Sequence, residues 1–174
     1  MSQISQNLND LSALEGRWSL DPDRTMVEFS TKILRVIPVR GAIKAIECGA
    51  RVGTDGAIDG NLILDTATID TGIKKRDAHL RTADFFDADS YPTIVFTAQS
   101  ARRIPSGGFE VAGSLTLHGR TRPLITFVEL QHVPTEVSVS ASVDLDRTAW
   151  GVGRMRLGPS TTARVVVEAR FVRE

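Results

Sequence analysis

The chain has 174 residues, enough for one domain that buries well over half of its unfolded surface. Its 21 Lys and Arg balance 21 Asp and Glu, which argues against nucleic acid or an anionic membrane surface as the main partner. One cysteine, Cys48, excludes an internal disulfide. With no His near it in sequence, Cys48 reads as a small buried apolar residue rather than a nucleophile.

Residues 1–16 read as a flexible N-terminal segment, and 17–174 as a single domain. Leu8, Leu11 and Leu14 are spaced for a turn or two of amphipathic helix, but the segment equally suits a frayed terminus. It has no basic stretch followed by an apolar one, so the expected location is cytoplasmic, unless Met1 stands in place of a removed leader. No apolar run approaches the ~20 residues that span a bilayer, so no integral membrane segment is expected.

Trp18 to Leu20 reads as a short strand turned by Asp21-Pro22-Asp23. From Thr25 to Ile33, Val27, Phe29, Thr31 and Ile33 share one face of a strand. Leu34 to Val39 is apolar and broken by Pro38, which marks an edge or bend. Gly41 to Val52 is a further extended segment, ended by the hairpin turn Gly53-Thr54-Asp55-Gly56. Ala57 to Ile69 reads as one long strand, with Leu62 and Leu64 on one face and Ile63, Ala67 and Ile69 on the other.

Asp70 to Tyr91 leaves the alternation. Asp70, Thr71 and Gly72 stop the strand, and the Thr71 hydroxyl is placed to cap a following helix. Lys75 to Thr82 holds neither Gly nor Pro, and Phe85-Phe86 are too apolar for a free loop. Residues 73–88 are therefore expected to form a short helical insertion lying over one end of whatever the strands enclose. Tyr91, held extended by Pro92, starts the next strand.

Strands follow at Thr93–Arg103, Phe109–Leu117, Leu124–Leu130, Val137–Leu145 and Arg164–Val172. Gly-containing turns separate them, together with a long loop from Asp146 to Ser160 that carries Trp150. The pattern gives eight or nine short strands and predicts an all-β fold, an eight-stranded antiparallel up-and-down barrel before a sandwich, and the missing helical crossovers exclude a parallel α/β sheet. A barrel of this size either fills with side chains or holds one small ligand. Thr25, Thr31, Ala98, Gly113, Ala141, Val143 and Ala169 are small residues at inward positions, and aromatic content is 6%. Both features suit an unfilled lumen, long and narrow enough for a chain-like lipid, although alternation alone fits an ordinary core of β-branched residues equally well.

Several blocks together resemble a known family. They are Trp18-x-Leu20-Asp21-Pro22-Asp23-Arg24-Thr25-x-Val27-x-Phe29, Val39-x-Gly41, and Ile69-Asp70-Thr71-Gly72 followed by Arg76-Asp77-x-His79-Leu80-Arg81-Thr82-x-Asp84-Phe85-Phe86-Asp87. Further on stand Tyr91-Pro92-x-Ile94-x-Phe96, Gly113-x-Leu115-Thr116-Leu117-His118-Gly119-x-Thr121-Arg122-Pro123 and Arg147-Thr148-Ala149-Trp150-Gly151. In this order they resemble the YceI-like family of lipocalin-like, polyisoprenoid-binding barrels. The resemblance implies an isoprenoid chain in the lumen, often a quinone tail, and is compatible with a homodimer. Many members carry a leader that this sequence does not show, and Trp150 stands where Phe is more usual.

Arg76, Asp77, His79, Arg81, Asp84, Asp87 and Asp89 crowd the insertion. Asp77 and His79 are two apart and do not face each other on a helix, and no metal-ligand spacing occurs. These groups read as anchors that pin the insertion to the barrel rim. His118 reads as a structural hydrogen bonder and His132 as a surface residue.

The sequence thus predicts a non-enzymatic protein that binds a polyisoprenoid or isoprenoid quinone, with no cofactor and no metal. Strand parity and aromatic position nominate Phe29, Leu34, Val36, Phe85, Phe86, Phe96, Leu115, Leu117, Val139, Val143 and Trp150 as the lining, with Phe85 and Phe86 as gate. Selectivity is expected from polar residues at the open end. Two other readings are an isoprenoid- or quinone-directed enzyme working through Asp77 and His79, and an interaction module with a filled barrel.

Overall fold

Strand β7 (Phe109–Leu117) shows the alternation in its barest form. Every odd residue is buried and every even one is half-buried, as a strand with one face on a core requires. The same periodicity, wrapped around a ring, builds the fold. The computed structural model describes residues 11–33, 36–46, 48–153 and 161–174.

Among the described residues, ten strands occupy eight positions of a closed antiparallel barrel. The first position is a broken strand, β1 (Gly16–Leu20) continued by β2 (Met26–Ile33). The second is also broken, β3 (Ile37–Ala42) continued by β4 (Gly49–Val52). Then come β5 (Ile58–Asp65), β6 (Thr93–Arg103), β7, β8 (Arg120–Val133), β9 (Glu136–Asp146) and β10 (Thr162–Arg173). β10 closes the ring by pairing with β1 through Phe171–Arg173 and with β2 through Arg164–Glu168. Each strand lies beside its neighbour in sequence, which is the expected up-and-down order.

The break between β1 and β2 is chemical. Pro22 lacks an N–H, and Asp21 caps a single 3₁₀ turn through Arg24 N–H. The seam stays attached because Asp21 N–H donates to Arg170 C=O at 2.8 Å and Arg170 N–H donates to the Thr25 hydroxyl at 3.2 Å. Pro38 sits on β3, the strand at the end of the pairing order, where a missing donor is tolerated.

Several expectations are corrected. The extended segment 41–52 is divided, because only Gly49–Val52 pairs with β1 and only Ile37–Ala42 with β2. The strand expected to reach Ile69 ends at Asp65, whose side chain accepts from Ala67 N–H and starts a 3₁₀ turn. Ile69 consequently leaves the outer face and becomes fully buried. The helix α1 spans only Lys74–Leu80, and residues 81–91 are tight turns, with Asp87 at φ 48°. Residues 11–14 are not free either. They form a 3₁₀ turn with Leu11 and Leu14 buried, and Gly16 already belongs to β1. The remainder of the expected flexible segment, residues 1–10, lies outside the described residues, as does the part of the long loop over 154–160.

Two glycines matter for the walls. His118 and Gly119 form the β7–β8 turn with φ of 52° and 70°, the left-handed pair that a tight hairpin needs. Gly113 faces a bulge between Ala98 and Ser100 on β6, where a Cβ would collide with the Thr97 carbonyl.

Candidate functional site

The inner faces of the strands enclose a cavity of about 370 Å³. One end is stopped by Leu11, Leu14 and Trp18, and the Trp18 indole N–H holds the plug by donating to Leu14 C=O at 2.8 Å. The other end is covered by Leu80, Phe85 and Phe86 from the insertion. Two apolar clusters meet along the wall, one below the insertion and one above the N-terminal plug, and Phe96 packs against both.

Of the eleven nominated residues, Phe29, Phe85, Phe86, Phe96, Leu115, Leu117, Val139 and Val143 line this cavity. Val36 does not. It lies at the tip between β2 and β3, is 74% exposed, and the parity argument fails because the hairpin there has left the barrel wall. Trp150 is buried but lies behind the lining, packed into the upper cluster, with its indole N–H donating to Leu115 C=O at 3.0 Å. That bond fixes the aromatic body as a wall support rather than a contact surface. Leu34 lies outside the described residues. Leu11, Leu14, Val27, Leu62, Leu64, Leu80 and Thr126 line the cavity without having been nominated. Alternation puts Val27 in phase with the nominated Phe29, and Leu62 and Leu64 together on one face of β5, so their inward position was legible in the sequence.

The insertion is pinned by polar contacts. Asp77 is buried, and one of its carboxylate oxygens accepts from both the N–H and the hydroxyl of Thr71. Arg76 donates to the Thr71 hydroxyl and carbonyl, and Arg81 donates to Ile69 C=O. Thr71 therefore does not cap α1 as expected. The cap position is Ile73, which offers no side-chain acceptor. Burial pushes the Asp77 carboxyl up, but the two Thr71 bonds and the guanidiniums of Arg81 and Arg76 outweigh it, and the net shift is downward. His79 turns elsewhere, its ring nitrogen 3.1 Å from Asp84 and its ring edge-on to Phe85. Neither Asp77 nor His79 lines the cavity.

His118 stacks at a tilt on Tyr91, with ring centroids 4.8 Å apart, and so couples the β7–β8 turn to the far side of the insertion. His132 is half-buried on β8. Burial raises the Cys48 thiol pKa, opposed by a bond from Ile63 N–H, so it is a poor nucleophile at neutral pH. Arg147 reaches across the upper rim and donates to the carbonyls of Val152 and Gly153. Its own pKa is lowered by burial, against the pull of Asp146. No helix among the described residues is long and apolar enough to cross a membrane.

Known proteins are similar to this chain, some in sequence and others in fold. The chain is 41% identical over 66 residues to a UPF0312 protein of Vibrio cholerae, a match covering 38% of this chain and 35% of that one. It is 38% identical over 69 residues to a UPF0312 protein of Vibrio vulnificus, covering 40% and 36%. These matches span about a third of the curated relatives' length. Among solved structures, BcnA of Burkholderia cenocepacia superimposes with a TM-score of 0.76 at 19% identity, covering 87% of this chain and 98% of that one. A polyisoprenoid-binding domain from Saccharophagus degradans gives 0.74 at 16% identity, covering 90% and 98%. At these identities the likeness concerns the fold. The sequence pattern of the YceI-like domain matches residues 18–172, and the chain belongs to that family.

Proposed function

We propose that the barrel binds a long isoprenoid or similar lipid chain in its lumen and carries, stores or sequesters it, without catalysing a reaction on it. The observation that supports this reading best is the cavity itself. It runs from Leu14 to Phe86 through walls of aliphatic and aromatic side chains, and its volume falls within the ~300–1,000 Å³ usual for small-molecule sites. Burying apolar chain yields ~0.8 kcal/mol per methylene. A tail of several prenyl units therefore exceeds the ~4–15 kcal/mol cost of association, even after the chain is straightened. The polyisoprenoid-binding neighbour adds an argument from likeness. A prenylquinone is the guest class this reading favours, and a homodimer is the assembly it allows.

The deciding experiment is mass spectrometry of a solvent extract from protein purified without detergent, with native mass of the intact protein in parallel. A stoichiometric prenyl lipid is expected. An empty native mass that added prenylquinone does not change would overturn the reading in favour of a filled-barrel module. The same native spectrum reads the oligomeric state.

A further inference from the structure

Among the described residues, the cavity lining holds one buried polar side-chain atom without a hydrogen-bond partner. Thr126 lies on the inward face of β8, between Leu124 and Val128, and is 8% exposed. Its backbone belongs to a strand paired on both sides, opposite Val111 of β7 and next to the β9 pairing that begins at Phe127 and Ser142. Its hydroxyl is buried and has no hydrogen-bond partner. Of the other polar residues of the lining, the Thr31 hydroxyl donates to Thr162 C=O, Arg147 donates to Val152 C=O, and Arg51, Asp59 and Asn61 are exposed to solvent.

A buried hydroxyl without a partner loses its water bonds and regains nothing, whereas valine has the same shape and would lose nothing. The arrangement makes physical sense if the partner arrives with the guest. The surroundings leave room for one. Thr126 itself lines the cavity, its partner in the β7 ladder is Val111, and the next inward position on β7 is Gly113, with the Phe96 ring beside it. The depth is definite too. Val111 and Val128 belong to the cluster above the N-terminal plug, while Leu124 packs on the cluster below the insertion. Thr126 stands where the two meet, with apolar lining on either side.

We propose that the Thr126 hydroxyl is the polar subsite of the lumen and that the guest carries an oxygen at mid-barrel depth. The guest class is then an oxygenated prenyl compound (an alcohol, phenol or quinone) in preference to a hydrocarbon. The inference rests on the lumen being the guest site. It moves polar recognition from the open end, where the sequence suggested it, to the interior.

The test uses delipidated full-length protein, wild type and Thr126→Val, with native mass spectrometry of competition between geranylgeraniol and the hydrocarbon of the same carbon skeleton lacking the hydroxyl. The alcohol-over-hydrocarbon preference should fall about five- to ten-fold in the valine variant, the size of one net hydrogen bond. Thr126→Ser keeps the hydroxyl and should keep the preference, which separates hydrogen bonding from packing. Thermal unfolding checks that both variants fold, and the valine variant should melt no lower than wild type. An unchanged preference in Thr126→Val overturns the proposal while leaving the carrier reading intact. Failure of wild type to take up either compound overturns both.

Discussion

Asp77 holds Thr71 across the start of the insertion, one carboxylate oxygen accepting the Thr71 N–H at 2.8 Å and the Thr71 hydroxyl as well. Arg76 closes the same small network by donating to the Thr71 hydroxyl at 2.8 Å. The carboxylate therefore does for the loop what a cap would have done for the helix.

Asp77→Ala should cost about 2 kcal/mol in urea unfolding, because two half-buried donors of Thr71 lose their charged acceptor. His79→Ala should cost well under half of that, since the His79–Asp84 pair is exposed. If both variants instead fold like wild type and lose a turnover that wild type performs, the catalytic reading of this pair gains.

The same carboxylate sets an acid limit. Its pKa is lowered in the folded state, so below the ordinary carboxylate value of ~4 the unfolded chain takes up the proton first. The Asp77 contribution should be complete at neutral pH and fall away as pH drops through the lowered folded value. Urea midpoints measured between about pH 6 and about pH 2.5 should decline less steeply in Asp77→Asn than in wild type.

Phe96 reaches both apolar clusters across the lumen. In a filled core its truncation to alanine would cost ~3–5 kcal/mol. Against an existing cavity the loss should be smaller, about 2 kcal/mol, because some of its contacts are already missing. Guest dissociation, followed by transfer to acceptor vesicles, should quicken.

Leu14→Ala should loosen the lower plug and cost about 2 kcal/mol, the low end for such a truncation at a position near the barrel end. Trp18 rests on that residue through its indole N–H, so its emission should shift to the red. Leu124→Ala, at the opposite cluster, should leave the Trp18 spectrum alone.

Gly113→Ala should be among the most damaging single methyl additions. The new Cβ meets the Thr97 carbonyl, which is backbone and cannot swing aside, so β6 and β7 must separate at the bulge. Loss of soluble folded protein, or a urea midpoint lowered by more than that of Leu14→Ala, is the expected result.

The barrel and its strand order were legible because alternation at period two persists in β7, β9 and β10 and short turns join the strands. The lining was legible where a strand stays in the wall, as for Phe29, Leu115 and Val143. It failed at Val36, where parity still held but the wall had ended, and at Trp150, where size suggested a lining role and the indole bond to Leu115 took it elsewhere. Asp65 ended β5 by capping its own chain, a local device that competes with the ladder and that β-branched composition hides. Thr126 escaped notice for a different reason. A threonine on an inward face is unremarkable until one knows that no partner reaches it, and only coordinates carry that information.

The closing strand has a consequence for how the molecule is made. β10 bonds β9 on one side and both halves of the first broken strand on the other, so no earlier strand can complete the ring. Until residues 162–173 have been synthesised, two long rows of backbone N–H and C=O groups stand open, and each is a template for another chain. Ring closure therefore joins the most distant parts of the sequence last, and that step should set the pace of folding and mark the interval of greatest risk of aggregation.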